Sequence, residues 1–378
     1  MEFRIQRAVL LGTLQRAQNI VEKKTTLPIL SHILLEVRSS TLELSSTDLE
    51  IAIIDNCEAT VLGEGTTTVH ARKLFEIIRE LPEEEVHLSL KQGQLEIRCA
   101  RSFFRLRCLP PEEFPKVPVI HASQSILLPS RVVMEMIRRV IHSISTDEAR
   151  YTLTGAMVQM EKKEDKSLFR IITTDGHRLA LCERVLDHAE CLDELTKESG
   201  ADPRHIILPR KGIVEMGRLV EEDAQDLEFG VHQENAFIRR GRFSMIMRLV
   251  QGKFPDYHSV IPSQIEKSVE VDASLLEQAL RRVSVLSTEK ARGTRLSFES
   301  GKMMVFSNSP EIGEAQEELD IVYEGESFEA AFNVRYLLDV LQIFSGSIRM
   351  EFGKGLKPCL IQEKSDPQFF YVVMPLRL

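Results

Sequence analysis

The sequence predicts an α+β protein of three similar domains, each with two helices packed on antiparallel sheets. Two observations carry this. The first is a sentence written three times: an apolar strand, a short junction, then an amphipathic helix. It reads Thr68-Val-His-Ala-Arg-Lys-Leu-Phe-Glu-Ile-Ile-Arg-Glu-Leu81, then Arg204-His-Ile-Ile-Leu-Pro-Arg-Lys-Gly-Ile-Val-Glu-Met-Gly-Arg-Leu219, then Ala330-Ala-Phe-Asn-Val-Arg-Tyr-Leu-Leu-Asp-Val-Leu341. The copies stand roughly 125 to 140 residues apart, the size of one ordinary domain. The second is that each copy is preceded by its own strand, helix and hairpin, and followed by a closing strand pair. Helices on one face of an antiparallel sheet is the packing this order favours.

Each unit opens with a short strand and a helix. These are Phe3–Ile5 with a helix from Arg7 to about Val21, Ile126–Leu128 with Ser130 to about Ile144, and Val269–Val271 with Ala273 to about Leu286. Val132, Val133, Met136, Ile137, Val140, Ile141 and Ile144 make one apolar stripe at helical spacing. Leu275, Leu276, Ala279, Leu280, Val283 and Leu286 repeat it. Pro129-Ser130 and Asp272 read as helix starts, and Pro209 suits a strand-to-helix boundary because it fixes φ and donates no hydrogen bond.

A hairpin follows in each unit: Leu42–Ile53, Phe169–Leu181 and Met303–Ile312. The polar tetrads Ser46-Thr-Asp-Leu49, Thr173-Thr-Asp-Gly176 and Ser307-Asn-Ser-Pro310 read as the turns, and Asp-Gly is a turn dipeptide. Closing strands are expected at 95–108, 236–249 and 359–374. Pro-containing links, Phe114-Pro115 and Phe254-Pro-Asp-Tyr257, mark the boundaries, so domains are expected at 1–120, 125–257 and 265–378. Within a unit the order strand, helix, strands occurs twice, an internal pseudo-twofold. Three equal domains in a row leave unused faces at both ends, and pairing two chains head-to-tail would close them into a ring.

The chain has 378 residues and a net charge of −9, with 43% apolar content, enough for a core in every domain. Its six cysteines (Cys57, Cys99, Cys108, Cys182, Cys191 and Cys359) contain no CxxC pair and suit buried thiols in a reducing compartment. The N-terminus has no signal core and no apolar run reaches membrane-spanning length, so the reading is a soluble, cytoplasmic, unprocessed protein.

Basic residues gather on the helices: Arg72-Lys73, Arg79, Arg138-Arg139, Arg210-Lys211, Arg218, Arg281-Arg282 and Arg335, with Lys23-Lys24 after the first helix. Acidic clusters lie elsewhere, at 83–85, 221–223 and 311–320. Repeated basic helices on an acidic protein are what a positively lined inner surface would show, and such phosphate contacts give affinity without sequence preference. They are equally the solvated faces of amphipathic helices.

The most enzyme-like stretch is Thr173-Thr-Asp-Gly-His-Arg178, where Asp175 and His177 could form a base and its orienter. The counterparts in the other copies lack the histidine, which favours a plain hairpin turn. There is no GxxxxGK[ST], no HExxH, and His188-Ala-Glu190 lacks the PCxxC of a zinc deaminase. No metal or cofactor is expected, and a binding protein is favoured over an enzyme. The apolar C-terminal octet Tyr371-Val-Val-Met-Pro-Leu-Arg-Leu378 reads as a final strand or as part of an apolar groove for partner peptides.

Taken in order, Thr26-Leu-Pro-Ile-Leu30, Thr47-Asp-Leu-Glu50, Thr174-Asp-Gly-His-Arg-Leu-Ala180, Pro209-Arg-Lys-Gly212, Phe254-Pro-Asp-Tyr257, Phe332-Asn-Val334 and the terminal octet resemble the bacterial sliding-clamp family, the beta subunits of DNA polymerase III. The resemblance runs the full length of the chain. It implies the DNA clamp fold and a head-to-tail homodimer forming a six-domain ring around duplex DNA. It implies a non-catalytic processivity factor that tethers the polymerase III alpha subunit and is loaded by a clamp loader. Other polymerases and repair proteins would bind through short linear peptides. By position it implies DNA contacts at Lys24, Arg72 and Tyr151, with Arg210 and Lys211 as helpers. The implied peptide groove comprises Leu153, Thr174, Gly176, His177, Arg178, Leu179, Pro255, Val260, and the terminal Val372, Val373, Met374, Pro375, Leu376, Arg377 and Leu378. The implied subunit contact pairs Lys73, Phe104 and Leu106 with Val285 and Leu286. Lys24 stands where arginine is common, Thr152 where a second aromatic can follow Tyr151, Asp147 at a position expected to be neutral, and Ser259 where some members have arginine. Two rivals stay open beside it: a DNA-acting enzyme centred on Asp175 and His177, and a protein-only repeat scaffold.

Overall fold

A computed structural model describes residues 1–22, 26–118, 120, 125–163, 165–186, 205–222, 225–286, 293–309, 312–355 and 357–377. Lys23, Lys24, His188, Glu190, Cys191, Asp223, Pro310, Glu311 and Leu378, singled out above, lie outside the described residues.

The first repeat runs β1 (Glu2–Gln6), α1 (Arg7–Ile20), β2 (His32–Arg38), β3 (Thr41–Thr47), β4 (Ile51–Glu58), β5 (Thr60–Gly63), β6 (Gly65–His70), α2 (Ala71–Glu80), β7 (Glu85–Lys91), β8 (Gln94–Cys99) and β9 (Ser102–Leu109). The second runs β10 (Ile126–Leu128), α3 (Ser130–Val140), β11 (Gly155–Lys163), β12 (Lys166–Thr174), β13 (Arg178–Leu186), β14 (Ile206–Pro209), α4 (Arg210–Glu222), β15 (Leu227–His232), β16 (Asn235–Arg240) and β17 (Phe243–Arg248). The third runs β18 (Lys267–Asp272), α5 (Ala273–Val283), β19 (Gly293–Glu299), β20 (Lys302–Ser309), β21 (Gly313–Asp320), β22 (Phe328–Asn333), α6 (Val334–Leu341), β23 (Ser347–Phe352), β24 (Cys359–Glu363) and β25 (Phe369–Val373). Strand, helix and strands thus occur twice in each repeat.

The helices start where the caps dictate. Asp272 Oδ1 accepts from Leu275 N at 2.9 Å at the head of α5, and Asn333 Oδ1 from Arg335 N at 3.1 Å at the head of α6. Ser130, expected as a start signal, is itself the first residue of α3, and its free N–H is taken by Asp226 Oδ1 at 3.4 Å. The opening helices are shorter than their apolar stripes suggest. After Val140 and Val283 the chain tightens into single 3-10 turns, Ile141–Ser143 and Ser284–Leu286. Leu275, placed in the α5 stripe by periodicity, is 53% exposed, because Ala273, Leu276, Ala279, Leu280 and Val283 already fill the buried face.

By contact density the described residues form two units, one drawn from 1–130 and 222–249, the other from 131–221 and 250–377, and the division passes through the middle repeat. In the first unit one sheet has the order β10-β15-β16-β17-β4-β3-β2-β6-β9-β8-β7-β1-β5. In the second, one sheet has the order β14-β11-β12-β13-β25-β24-β23-β18 and another β21-β20-β19-β22. Strands of adjacent repeats therefore pair directly: β17 on β4, with Met247 opposite Ile51, and β25 on β13, with Val373 opposite Arg178. The two joints have one register, because Ile51 and Arg178 each directly follow their hairpin turn.

The turn tetrads need correction in every repeat, and in the second Thr173 and Thr174 are buried residues of β12, so that the bend falls at Asp175, Gly176 and His177. Ser46 and Thr47 are buried strand residues, and the bend is made by Asp48, Leu49 and Glu50. In the third repeat pairing runs on to Ser309 opposite Gly313, so Ser307 and Asn308 are strand. That copy has no Asp to accept the turn amides, and its ladder continues instead.

Candidate functional site: an apolar groove beside the Asp175 turn

The β12–β13 turn is held by its own side chains. Asp175 Oδ1 accepts from His177 N at 2.9 Å and Arg178 N at 3.0 Å. Thr174 Oγ1 donates to Arg178 O at 2.6 Å and accepts from Gly176 N at 3.1 Å. Gly176 sits at φ +88°, and a Cβ there would come within 2.8 Å of Arg150 Nη1. Thr47, Asp48, Leu49 and Ile51 repeat this bond set in the first repeat, with Leu49 at φ +78°.

The turn presents His177 to solvent and turns Arg178 inward. The Arg178 side chain is 8% exposed and is paired with Asp175 Oδ2 at 3.0 Å and Asp339 Oδ2 at 2.6 Å. It donates to the His142 carbonyl and lies 4.5 Å over the Tyr336 ring. Burial disfavours its charge, but Tyr371, Asp339 and Asp175 together hold its pKa above the ordinary arginine value. Beside it, His142 has both ring nitrogens buried without a hydrogen-bond partner. Burial first, and Arg178 second, push its pKa down to about 4, so the ring is neutral.

Met157, Ile172, Leu179, Leu181 and Val372, from β11, β12, β13 and β25, pack with Leu153, Phe254 and Tyr257 in one buried apolar cluster. Tyr257 keeps its hydroxyl on Gln159 Oε1 at 3.1 Å. The groove left open at the surface holds about 100 Å³. Leu153, Thr174, Gly176, His177, Arg178, Leu179, Pro255, Val260, Val372 and Met374, all expected from the sequence, line it. Asp256 and Tyr257 line it too and were not expected, although Pro255 of the same Phe-Pro-Asp-Tyr run was. Val373 is buried away from the groove, opposite Arg178 and Cys359. Leu376 turns aside to donate its N–H to Ala331 O at 2.7 Å, with Pro375 half-buried and Arg377 exposed beside it.

Asp175 and His177 do not form a base and its orienter. The Asp175 oxygens are engaged by two backbone N–H groups and Arg178, and the His177 ring stacks on Tyr336 at 6.4 Å. Among the described residues no cluster of His, Cys, Asp and Glu could hold a metal ion, and no helix is long and apolar enough to cross a membrane.

The basic candidates lie at the heads of second helices. Arg72, on α2, is exposed with Nε 3.3 Å from Glu76, and Lys73 is 2.8 Å from the same carboxylate. Arg210 opens α4, exposed, with Nη1 donating to Ile144 O at 3.3 Å, and Lys211 follows it half-buried. Tyr151 is 55% exposed on the 3-10 turn Glu148–Leu153, and its hydroxyl occupies the space a side chain at residue 252 would need.

Among the open strand edges of the described residues are those of β9 and β21. β9 pairs with β8 along its length but with β6 only at Cys108 and Leu109. Its free edge carries Phe103, Phe104, Arg105, Leu106 and Arg107, with Arg98 and Arg105 at 4.4 and 5.0 Å from the Phe103 ring centre. β21 is the edge of its sheet and carries Glu314, Glu317, Glu318 and Asp320. Val285 is 78% exposed, with Leu286 half-buried beside it.

An α+β unit repeated three times, sheets continuous from one repeat to the next, and an apolar groove without an acid–base set define a binding module of the DNA-clamp class. Comparison with known proteins gives the family. The N-terminal, central and C-terminal domains of the DNA polymerase III beta subunit match residues 1–118, 127–256 and 258–377. The beta sliding clamp of Pseudomonas putida is 35% identical over the whole of both chains. The solved Caulobacter crescentus pol III beta aligns over 100% of both chains with a TM-score of 0.91 at 35% identity. A Pseudomonas aeruginosa sliding clamp solved bound to griselimycin aligns over 100% of both chains with a TM-score of 0.89 at 33% identity. The chain belongs to the DNA polymerase III beta-subunit family, the beta sliding clamps, which are non-catalytic processivity factors of DNA replication.

Proposed function

We propose that this chain works in the cytoplasm as a head-to-tail homodimeric ring around duplex DNA, with domains at 1–120, 125–257 and 265–378. The groove beside the Asp175 turn is the dock for short linear peptides of the polymerase III alpha subunit, the clamp loader, and other polymerases and repair proteins. The observation that carries this is the groove itself: an apolar floor of Leu179 and Val372 with a polar rim, the form that takes an extended peptide by apolar anchors. Met374 supplies a flexible wall, while Pro375, Leu376 and Arg377 continue it along the surface. Ring closure is supported by the basic, aromatic edge of β9, which pairs with β6 only at Cys108 and Leu109, and the acidic edge of β21, which has no second strand partner among the described residues. Phe104 and Leu106 then meet Val285 and Leu286, with Lys73 at the margin. Arg72, Arg210, Lys211, Tyr151 and Lys24 are the DNA contacts, giving loose, salt-dependent attraction to phosphates that permits sliding.

Titration with griselimycin, the ligand of the Pseudomonas aeruginosa relative, tests the groove. Saturable binding that Leu179→Arg abolishes is expected, with Arg72→Glu/Arg210→Glu binding as the parent does. Equal binding by the Leu179→Arg protein would remove the groove assignment. The double arginine variant should be retained on DNA far more briefly than the parent after loading; unchanged retention would remove the DNA contacts.

A further inference from the structure

We infer that Arg150 is a positioning residue of the peptide groove and links the groove to the DNA. Its guanidinium holds the Asp175 turn in the free protein and is drawn off it by a phosphate of the encircled duplex. The inference rests on the reading of Tyr151 as a DNA contact and of the groove as the peptide dock.

One short turn reaches both places, and all of it lies in the second compact unit. The 3-10 turn Glu148–Leu153 carries the exposed Tyr151 and also Leu153, which lines the groove. Its base is fixed: Ser145 N donates to Leu153 O at 3.0 Å and Arg210 N to Thr154 O at 3.1 Å. Arg210 and Lys211, the cations read as DNA contacts of this repeat, therefore open α4 at that same base. The run is broken at Arg150, whose φ of −107° and ψ of 54° are not helical. From there the Arg150 side chain crosses to the groove. Nη1 donates to Asp175 O at 3.2 Å and lies 2.8 Å from where a Cβ at residue 176 would stand. Gly176 is part of the groove lining. Tyr151 makes a second tie, its hydroxyl lying against Gly252, two residues before Phe254 of the apolar cluster.

The tie to Asp175 is one that an anion can undo. The Arg150 side chain is half exposed, and its partner is an uncharged carbonyl that takes a single N–H. A phosphate takes a guanidinium through two parallel N–H bonds and carries the opposite charge. A phosphate in contact with Tyr151 stands one residue from Arg150. The Asp147 carboxylate, 3.8 Å from Arg150 Nε, is the counterweight: it offsets part of the guanidinium charge and repels a phosphate. This is the acidic residue at the position where the resemblance implies a neutral one. Arg150 thus has two competing partners, and such a group couples the sites that supply them. With Arg150 withdrawn, the turn keeps the bonds of Asp175 Oδ1 and Thr174 Oγ1 but loses its outer hold, so the groove rim loosens on DNA.

The test is hydrogen exchange by mass spectrometry on the full-length protein, free in solution and retained on nicked circular plasmid after loader and free protein are filtered away. In the parent, exchange at 176–178 should be about fivefold faster on DNA than in solution, the loss of one hydrogen bond at a half-exposed site. Arg150→Ala should show the faster rate already in solution, with no further change on DNA. Arg150→Lys, which keeps the charge and one donor, should restore part of the protection in solution, and Asp147→Asn should enlarge the response to DNA. An Arg150→Ala protein that exchanges in solution within twofold of the parent overturns the positioning role. A parent that is retained on the circle but exchanges there no faster than in solution overturns the link while the ring survives, as does an Arg150→Ala protein that still responds to DNA. A parent that is not retained overturns the ring reading, and this inference with it.

Discussion

Asp339 should hold the groove in shape without touching its contents. It lies on α6 and reaches Arg178 at 2.6 Å, while Asp175 in the turn holds the same guanidinium at 3.0 Å. Removing one partner of a fully buried pair costs roughly 3–5 kcal/mol, and an exposed pair is worth roughly 0–1 kcal/mol. The Arg178 side chain is 8% exposed and Asp339 26%, and Asp175 remains in the variant, so the case lies between these limits. Asp339→Ala should therefore cost about 2 kcal/mol of local stability at the turn. At roughly 1.4 kcal/mol per factor of ten, that is about thirtyfold faster amide exchange at His177 and Arg178, whose N–H groups bond Asp175. Asp339→Glu should restore part of that protection. Hydrogen exchange by mass spectrometry reads the segment directly. Exchange at 176–178 within twofold of the parent would refute the reasoning, since the ion pair would then carry no local stability.

Glycine replacements should separate strain from crowding. Gly176→Ala meets both φ +88° and Arg150 Nη1 at 2.8 Å, and should cost about 1–2 kcal/mol in a urea midpoint. Gly155→Ala would put Cβ 2.5 Å from Leu208 O, a backbone atom that cannot swing away, and should cost more, about 3 kcal/mol in a urea midpoint. His142 is neutral when folded, with a pKa of about 4 against 6.5 when free. The unfolded chain binds that proton first, so stability is full above pH 6.5 and falls as pH drops toward 4, by about 3 kcal/mol for this group. His142→Phe should flatten that part of a pulse-proteolysis profile between pH 7 and 4.5, and an unchanged slope would contradict the buried neutral ring. Burial raises the thiol pKa of Cys57 to about 11 and of Cys182 to about 12, and raises that of Cys359 further still. All three should resist iodoacetamide at pH 8 until the chain unfolds; rapid labelling in the folded protein would contradict their placement.

The repeat and its helices were legible because they rest on local signals: Asp272 and Asn333 cap helices, and Asp175-Gly176 makes the turn its residues favour. The groove lining was expected from the resemblance to the sliding clamps, position by position, and most of it falls on that turn and on the last strand. Leu275 was misplaced because one apolar residue too many satisfied the helical period, and only the packing shows which is spare. The joints of β17 on β4 and β25 on β13 left no trace, since alternation along a strand is the same whatever strand lies beside it. The Arg178–Asp339 pair was equally hidden, its members lying 161 positions apart and joined only by the fold. Phe103 and Phe104, adjacent and both exposed, break strand alternation, and that break is the readable sign of an edge awaiting a partner.

A sliding ring is held on DNA by topology. The protein is loaded onto nicked circular plasmid with its clamp loader, free protein is filtered away, and the plasmid is then linearised. Long retention on the circle with rapid loss on linearisation is predicted, because a ring held only by linkage slides off an end. Equal retention on circular and linear DNA would mean contact binding and would contradict the sliding ring.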